Sequence, residues 1–250
     1  MNDLGKAEEV SMNPEVLTNK LTAWIRDYVL TSECVGVVFG MSGGLDSSVV
    51  AILCRSALPL GSLGLIMPCH SNPEDEEHAG TVAGLFDVAT KVVNLDDVHD
   101  SMLSMLPDGD RMAEANLKAR LRMLTLYYFA NSLNYVVVGS SNRSELFVGY
   151  FTKHGDGGTD IMPLGKLVKG QVRELASFLG IPQVIIDKQP SGGLWPGQTD
   201  EGELGFSYND LDSYLLSSFV PSTVKKRIEQ LRASAKHKLS MPPIFENKRR

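Results

Sequence analysis

The stretch VGVVFGMSGGLDSS, residues 35–48, decides the fold. Residues 35–39 are apolar on both faces and carry three valines, as expected of a central parallel strand covered by helices on each side. Gly40 to Gly44 make a glycine-rich turn, and a helix is expected from about Asp46 to Ala57. A strand that passes directly into a helix through such a turn leaves free backbone N–H groups, with the helix dipole behind them, where an anion is favoured. Outward from this unit the alternation continues, with strand at 63–67, helix at 74–87, strand at 91–94, a long helix at 110–132 and the strand YVVVG at 135–139. Before it, Val16, Leu17, Leu21, Trp24, Ile25, Tyr28 and Val29 recur at helical spacing over residues 14–30, with Pro14 near the first turn. Strand and helix in alternation predict an α/β fold built on a doubly wound parallel sheet.

The composition agrees. The chain has 250 residues, 43% hydrophobic and 22% charged, which is the make-up of a globular protein rather than a disordered or fibrous one. Its longest uncharged apolar stretches fall far short of the ~20 residues of a membrane helix. With 24 Lys+Arg against 30 Asp+Glu, the net charge of -6 offers no overall field for a nucleic-acid backbone or an anionic membrane. Cys34, Cys54 and Cys69 are odd in number and widely spaced, so they read as buried thiols and not as a disulfide framework or a metal pair. The acidic MNDLGKAEEV start has no apolar leader core, which gives a cytoplasmic expectation.

Two irregular stretches interrupt the alternation. Residues 149–165 are crowded with Gly and Asp, and Gln189 to Gly205 contains PSGGLWPGQ followed by DEGE. Loops of this length tend to bind something. Between them a helix is expected at 167–179, ending at Gly180 before Pro182, and helices at 207–217 and 221–236 close the chain ahead of a short NKRR tail.

The turn GMSGGLDSS is neither a Walker A loop, because no Gly-Lys-Ser/Thr follows at the right spacing, nor the dinucleotide fingerprint. It resembles the SGGxDS pyrophosphate loop of the N-type ATP pyrophosphatases, which split ATP between its α and β phosphates and move AMP onto a substrate oxygen. Within that superfamily, GSSNRSELFVGYFTKHGDGGTDIMPLGKLVKGQVRELA (139–176), NLKARLRM (116–123), PSGGLWPGQTDEGELGFSY (190–208) and the His-Lys pair at 237–238 resemble NAD synthetase. The resemblance implies a Rossmann-like, adenine nucleotide alpha hydrolase-like fold with a parallel five-stranded sheet in the order 3-2-1-4-5. It also implies conversion of deamido-NAD to NAD with ATP, Mg²⁺ and ammonia, through a deamido-NAD adenylate, releasing AMP and pyrophosphate. Glutamine-using members carry an added amidase domain for which 250 residues leave no room, so a single ammonia-dependent synthetase domain over residues 1–250 is expected, fed if necessary by a separate glutaminase.

By the same resemblance, Gly40, Met41, Ser42, Gly43, Gly44, Leu45, Asp46 and Ser47 bind ATP, with Ser48 adding a further hydroxyl. Ser140, Lys169 and Ser191 are further expected ATP contacts, and Asp46 and Glu145 are the expected Mg²⁺ ligands. Arg120, Lys153, Asp160, His237 and Lys238 match deamido-NAD positions. Arg120 lies one turn after Asn116 and shares its face, whereas Arg122 is expected to point substantially away. Lys169 opens a helix, where a cation is unfavourable unless an anion compensates it. Asp156 sits in an Asp-Gly turn, and beyond forming that turn it is expected to position ammonium or accept its proton, which makes Asp46 and Asp156 the expected catalytic carboxylates. The chain departs from the family pattern at Leu239, where Arg is usual, and at Gly193, where Ala is common.

Family members are homodimers, and Leu117, Leu121, Leu124 and Tyr128 along the 110–132 helix form either a dimer seam or core. Two other readings stand behind the first. A tRNA-modifying pyrophosphatase would want a basic surface and paired cysteines, which this chain lacks. A nucleotide sensor without turnover would not need Asp46, Glu145, Lys153 and Lys169 together.

Overall fold

The computed structural model describes residues 13–217 and 219–245. The acidic N-terminal decamer and the NKRR tail lie outside them. In chain order the elements are Pro14–Thr31 (α1), Gly36–Gly40 (β1), Leu45–Ala57 (α2), Ser62–Ile66 (β2), Pro73–Leu85 (α3), Thr90–Val92 (β3), Asp96–Met105 (α4) and Arg111–Leu133 (α5). Tyr135–Val138 (β4), Arg143–Val148 (α6), Lys169–Phe178 (α7), Gln183–Ile186 (α8), Asp200–Leu204 (α9), Tyr208–Ser217 (α10) and Ser222–Ala235 (α11) follow, and Lys236–Lys238 is a 3-10 turn.

The sheet is parallel in the order β3-β2-β1-β4. The expected fifth strand is not formed among the described residues. Its place beside β4 is taken by one parallel bridge, Val138 to Ile161, where Gly139 N–H donates to the Ile161 carbonyl at 2.8 Å. The ladder stops there because Pro163, two residues on, has no N–H to donate.

Alternate residues of β1 go to opposite layers, as period-2 geometry requires. Val37 and Phe39 join Ile25, Val29, Val50 and Leu175 under α1, α2 and α7. Val38 joins Leu65, Val137, Leu121 and Ala130 under α5. All three β1 side chains have no exposed surface, and each such burial stabilises by roughly 1.5–3 kcal/mol. A third apolar cluster, centred on Tyr208, Leu211, Phe147 and Ile228, holds α6, α10 and α11 together.

β1 leads through α2 to β2 on one side, while β4 pairs with the other side of β1. The boundary between β1 and β4 is therefore the switch point of the sheet, where ligands of open α/β folds bind beyond the carboxyl ends of the strands. Both the phosphate-type turn and the segment carrying Asn142 and Glu145 emerge there.

Candidate active site

The turn after β1 is built for an anion. Gly44 opens α2 with no side-chain cap, so its first-turn N–H groups have no side-chain acceptor. The hydroxyls brace the turn from within. Ser48 Oγ donates to the Gly44 carbonyl at 2.8 Å, Ser47 Oγ to the same carbonyl at 3.0 Å, and Ser42 and Ser47 Oγ lie 3.0 Å apart. Gly43 has φ +71°, and a Cβ there would sit 2.0 Å from the Asp75 carbonyl oxygen. Only glycine meets both conditions, so the turn packs directly on the first turn of α3.

Across the switch point, Asn142 caps α6, and its partner in the capping box is Glu145. The cap serves the site as well as the helix. Asn142 Nδ2 donates to Asp46 Oδ1 at 2.9 Å, and Glu145 Oε2 accepts from Asn142 N–H at 3.2 Å. Lys169 Nζ completes the arrangement, donating to Asp46 and lying 3.4 Å from Glu145 Oε1, with its side chain only 4% exposed. Burial alone would lower the Lys169 ammonium, but Asp46 and Glu145 outweigh it and hold the lysine above its ordinary value. The unfavourable cation at a helix start is thus compensated by two carboxylates.

Lys169 is placed from a distance. Val168 offers α7 no side-chain cap, and Asp212 of α10 substitutes by accepting from Gly170 N–H at 2.7 Å and Lys169 N–H at 3.3 Å. Ser144 Oγ donates to the same carboxylate at 2.6 Å, which ties α6 to α7. Asp212 therefore fixes Glu145 and Lys169 relative to each other.

A third carboxylate faces the pair. Tyr208 OH donates to Asp200 Oδ2 at 2.9 Å and approaches Glu145 Oε1 at 3.5 Å, while Asp200 Oδ1 is buried with no hydrogen-bond partner. Burial pushes the Glu145 carboxyl up to about 8, with Asp46 and Asp200 adding to the rise against the pull of Lys169. Asp200 is raised too, first by its burial. Three carboxylates against one ammonium, with an orphaned acceptor among them, fit a hard divalent cation such as Mg²⁺.

These groups open into a cleft of about 1090 Å³, which suits a nucleotide-sized occupant. Arg122, Lys169, Lys188 and Lys238 line this cleft beside the carboxylates of Asp46, Asp75, Glu145 and Asp200, so cationic contacts for phosphate and acidic groups for a metal ion share one site. Of the residues expected from sequence, Gly40, Met41, Ser42, Gly44, Leu45, Asp46, Ser47, Ser140, Glu145, Asp156, Lys169, Ser191 and Lys238 all line it. Gly43 supports the turn from behind.

Arg120, Lys153 and His237 instead form a chain on the outer rim. Arg120 Nη2 contacts the Lys153 carbonyl at 3.5 Å, and Lys153 Nζ donates to the His237 carbonyl at 2.8 Å. Asp160 is committed to the fold, accepting from Tyr127 OH at 2.9 Å and from Val137 N–H at 2.8 Å. Arg122, expected to point away, is the arginine in the cleft, where it donates to the Met67 carbonyl at 3.1 Å and Ser71 Oγ at 3.0 Å. Its guanidinium is lowered by burial. Lys188 was not anticipated either, and it bonds Asp75 Oδ1 at 2.7 Å and His78 Nδ1 at 2.9 Å.

Residues 17–242 match the sequence profile described as NAD synthase. The chain belongs to the NAD synthase family. An NH(3)-dependent NAD(+) synthetase of Carboxydothermus hydrogenoformans is 47% identical over 238 residues, covering 93% of this chain and 98% of that protein. Among solved structures, the NMN synthetase from Francisella tularensis superposes with a TM-score of 0.89 at 35% identity, covering 94% of this chain and all of that one. The NH3-dependent NAD synthetase of Campylobacter jejuni gives 0.79 at 30% identity, again covering 94% of this chain and all of that one. Membership of the NAD synthase family makes the protein a ligase of the adenine nucleotide alpha hydrolase-like fold.

Proposed function

We propose that the protein amidates deamido-NAD to NAD, using ATP and ammonia and releasing AMP and pyrophosphate. The observation that carries this reading is the Asp46–Lys169–Glu145 cluster set against the uncapped start of α2. A carboxylate at neutral pH is a poor acylating group, so its oxygen must first be joined to a leaving group. In the first step a nicotinate oxygen attacks the α phosphorus of ATP, the bond to the β phosphate oxygen breaks, and pyrophosphate leaves. The α2 amides and Lys169 are placed to hold the departing charge. Asp46 and Glu145 would hold Mg²⁺, which when bound neutralises phosphate charge. Ser140 and Ser191, which both line the cleft, are assigned as further ATP contacts.

In the second step ammonia attacks the acyl carbon, loses a proton and expels AMP. Asp156 is the group we assign to that proton. Its Oδ1 accepts the Thr152 N–H at 2.9 Å, and desolvation within the cleft raises its carboxyl above the usual range, with Lys238 opposing the rise. Removing a general base typically costs about 10²–10⁴-fold, and Asp156→Asn is expected to lose rate on that scale. A raised carboxyl is lost as a base at a higher pH than an ordinary one. Wild-type rate at constant free ammonia should therefore fall on the acid side above the ordinary range near ~4, and the variant should lack that limb. Undiminished turnover by the variant would remove the role.

Arg120, Lys153, His237 and Lys238 are assigned to deamido-NAD, the first two and His237 as a rim patch continuous with the cleft, whereas Asp160, with both oxygens taken by Tyr127 and Val137, is left to the fold. A homodimer completes this reading, because Leu124 and Tyr128 are 63% and 69% exposed while Leu121 is core, so the α5 stripe divides between the two expected uses. The three cysteines are free, Cys54 and Cys69 buried as expected and Cys34 only half-buried, in keeping with a cytoplasmic setting, where a separate glutaminase would supply ammonia.

The high structural similarity to an NMN synthetase favours a second reading, in which the acceptor is the mononucleotide, nicotinate mononucleotide, rather than the dinucleotide. One assay tests both: protein, Mg²⁺, ATP and ammonium with each acceptor in turn, following AMP, pyrophosphate and amide product. Equal amounts of AMP, pyrophosphate and NAD, with higher kcat/KM for deamido-NAD, are expected. Preference for the mononucleotide would establish the second reading, and AMP formation indifferent to both acceptors would overturn the first.

A further inference from the structure

On the rim of the cleft, away from the Asp46–Lys169–Glu145 cluster, the crossover after β2 meets α4. His70 sits in this crossover with φ +49°, a left-handed conformation that non-glycine residues seldom adopt. Its Nε2 lies 2.7 Å from Asp100 Oδ1, its Nδ1 lies 3.9 Å from Asp96 Oδ1, and its backbone N–H donates to that same Asp96 oxygen at 2.5 Å. His99 is 3% exposed, with Nδ1 3.4 Å from the Asp100 oxygen that His70 already uses. The two rings stand edge to face with centroids 5.4 Å apart. His99 Nε2 is buried and has no hydrogen-bond partner.

An imidazole nitrogen buried without a partner is left short of a hydrogen bond that water would have given it. Two imidazoles converge on one carboxylate oxygen. One donor atom from each of His70, His99 and Asp100 lies within 4.8 Å of the others. We propose that His70, His99 and Asp100 form a binding site for a borderline-soft divalent transition ion of the Zn²⁺ class.

The donor chemistry selects that class. Two imidazoles and a carboxylate suit Zn²⁺ and its neighbours, whereas Mg²⁺ and Ca²⁺ prefer all-oxygen sites. Tetrahedral ligands at ~2.1 Å from a metal lie about 3.4 Å apart, which the His99–Asp100 spacing of 3.4 Å already meets, while the His70–Asp100 pair at 2.7 Å would have to open. Asp100 supplies the carboxylate ligand, and Asp96, which accepts the His70 backbone N–H and lies 3.9 Å from its Nδ1, holds His70 from outside the set, the position of a partner behind a metal-bound imidazole. Three protein ligands leave a fourth position to water. The ion would tie the 68–72 crossover, whose His70, Ser71 and Asn72 line the cleft, to α4.

The test uses the full chain, stripped of metal and kept in excess Mg²⁺, titrated with Co²⁺ as a chromophoric probe and then with Zn²⁺. Expected are one equivalent of Co²⁺ with visible d–d absorption, displacement of that absorption by Zn²⁺, and indifference to added Mg²⁺. His70 and Asp100 side chains are 44% and 61% exposed, so His70→Ala and Asp100→Asn should fold with unchanged melting temperature and lose the absorption. Asp96→Asn should weaken Co²⁺ by roughly 10–100-fold, the usual cost of removing an outer partner. Absence of Co²⁺ binding, its survival in both ligand variants, or its removal by Mg²⁺ would each overturn the proposal.

Discussion

Lys169→Met is expected to slow synthesis of NAD severely and to make the protein much easier to melt. The lysine side chain is 4% exposed and those of Asp46 and Glu145 are 15% exposed, so its removal leaves two carboxylates facing each other with little water between them. Breaking a buried pair from one side costs about 3–5 kcal/mol, because the partner's charge is left uncompensated. For a chain of this size that corresponds to a drop of roughly 6–20 °C in Tm. Loss of a preorganised phosphate contact should also lower kcat by roughly 10²–10³-fold. Thermal denaturation as a function of pH separates the electrostatic cause from simple loss of packing. In the wild-type fold the Glu145 carboxyl is already pushed up to about 8, so the folded state binds a proton there that the unfolded chain releases. Stability from this group is present at acid pH and declines as pH rises toward 8. Without Lys169 the carboxyl rises further, so both folded states hold the Glu145 proton below about 8 and the variant's deficit should stay constant there and grow as pH rises through and above about 8. A deficit independent of pH would show that the ammonium is not what keeps the two carboxylates together.

What the sequence disclosed, and what it withheld, follows from the range of the interactions involved. β1 was legible because both of its faces are covered, which forces a continuous apolar run. The turn after it was legible because glycine and hydroxyl residues at fixed spacing have few other uses in that position. The helix α4 was not anticipated, since DDVHDSMLSM buries only His99 and so carries little apolar pattern. The fifth strand failed for a local reason, the missing donor at Pro163. Arg122 was misplaced because its direction was judged against Asn116 alone. The cleft wraps α5 widely enough to be lined by Asn116, Ala119, Arg122 and Met123 together.

The remaining site residues act over separations that no local pattern reveals. Asp212 caps α7 from 43 residues away, and Asp75 bonds Lys188 across 113 residues. Asp200 stood in plain view within DEGE, yet its importance comes from an oxygen left unpaired beside Tyr208, which is a property of packing. Asp160 shows the converse. A residue in a binding-type loop has both carboxylate oxygens committed to Tyr127 and Val137, where it serves the edge of β4.

Gly43→Ala tests whether the turn after β1 works through its shape. The substitution has two separable effects. A φ of +71° costs an L-residue roughly 1–2 kcal/mol, and an added Cβ would in addition lie 2.0 Å from the Asp75 carbonyl oxygen, so either the turn or the start of α3 must move. The displacement would not stay local, because Asp75 is held on its other side by Lys188 and lies 3.5 Å from where a Cβ at Gly193 would be, in the loop that carries Ser191. Both phosphate-facing walls would shift together. A misplacement of about 1 Å typically costs on the order of 10²-fold, and that loss in kcat/KM for ATP is expected here. Gly180→Ala is the control: its φ is +78°, but an added Cβ meets nothing within 4 Å, and the residue lies outside the cleft. It should show the conformational cost in Tm alone, with kcat/KM unchanged. If Gly43→Ala behaved like Gly180→Ala, with a lowered melting temperature and intact turnover, close packing of the turn on α3 would have no part in holding the nucleotide.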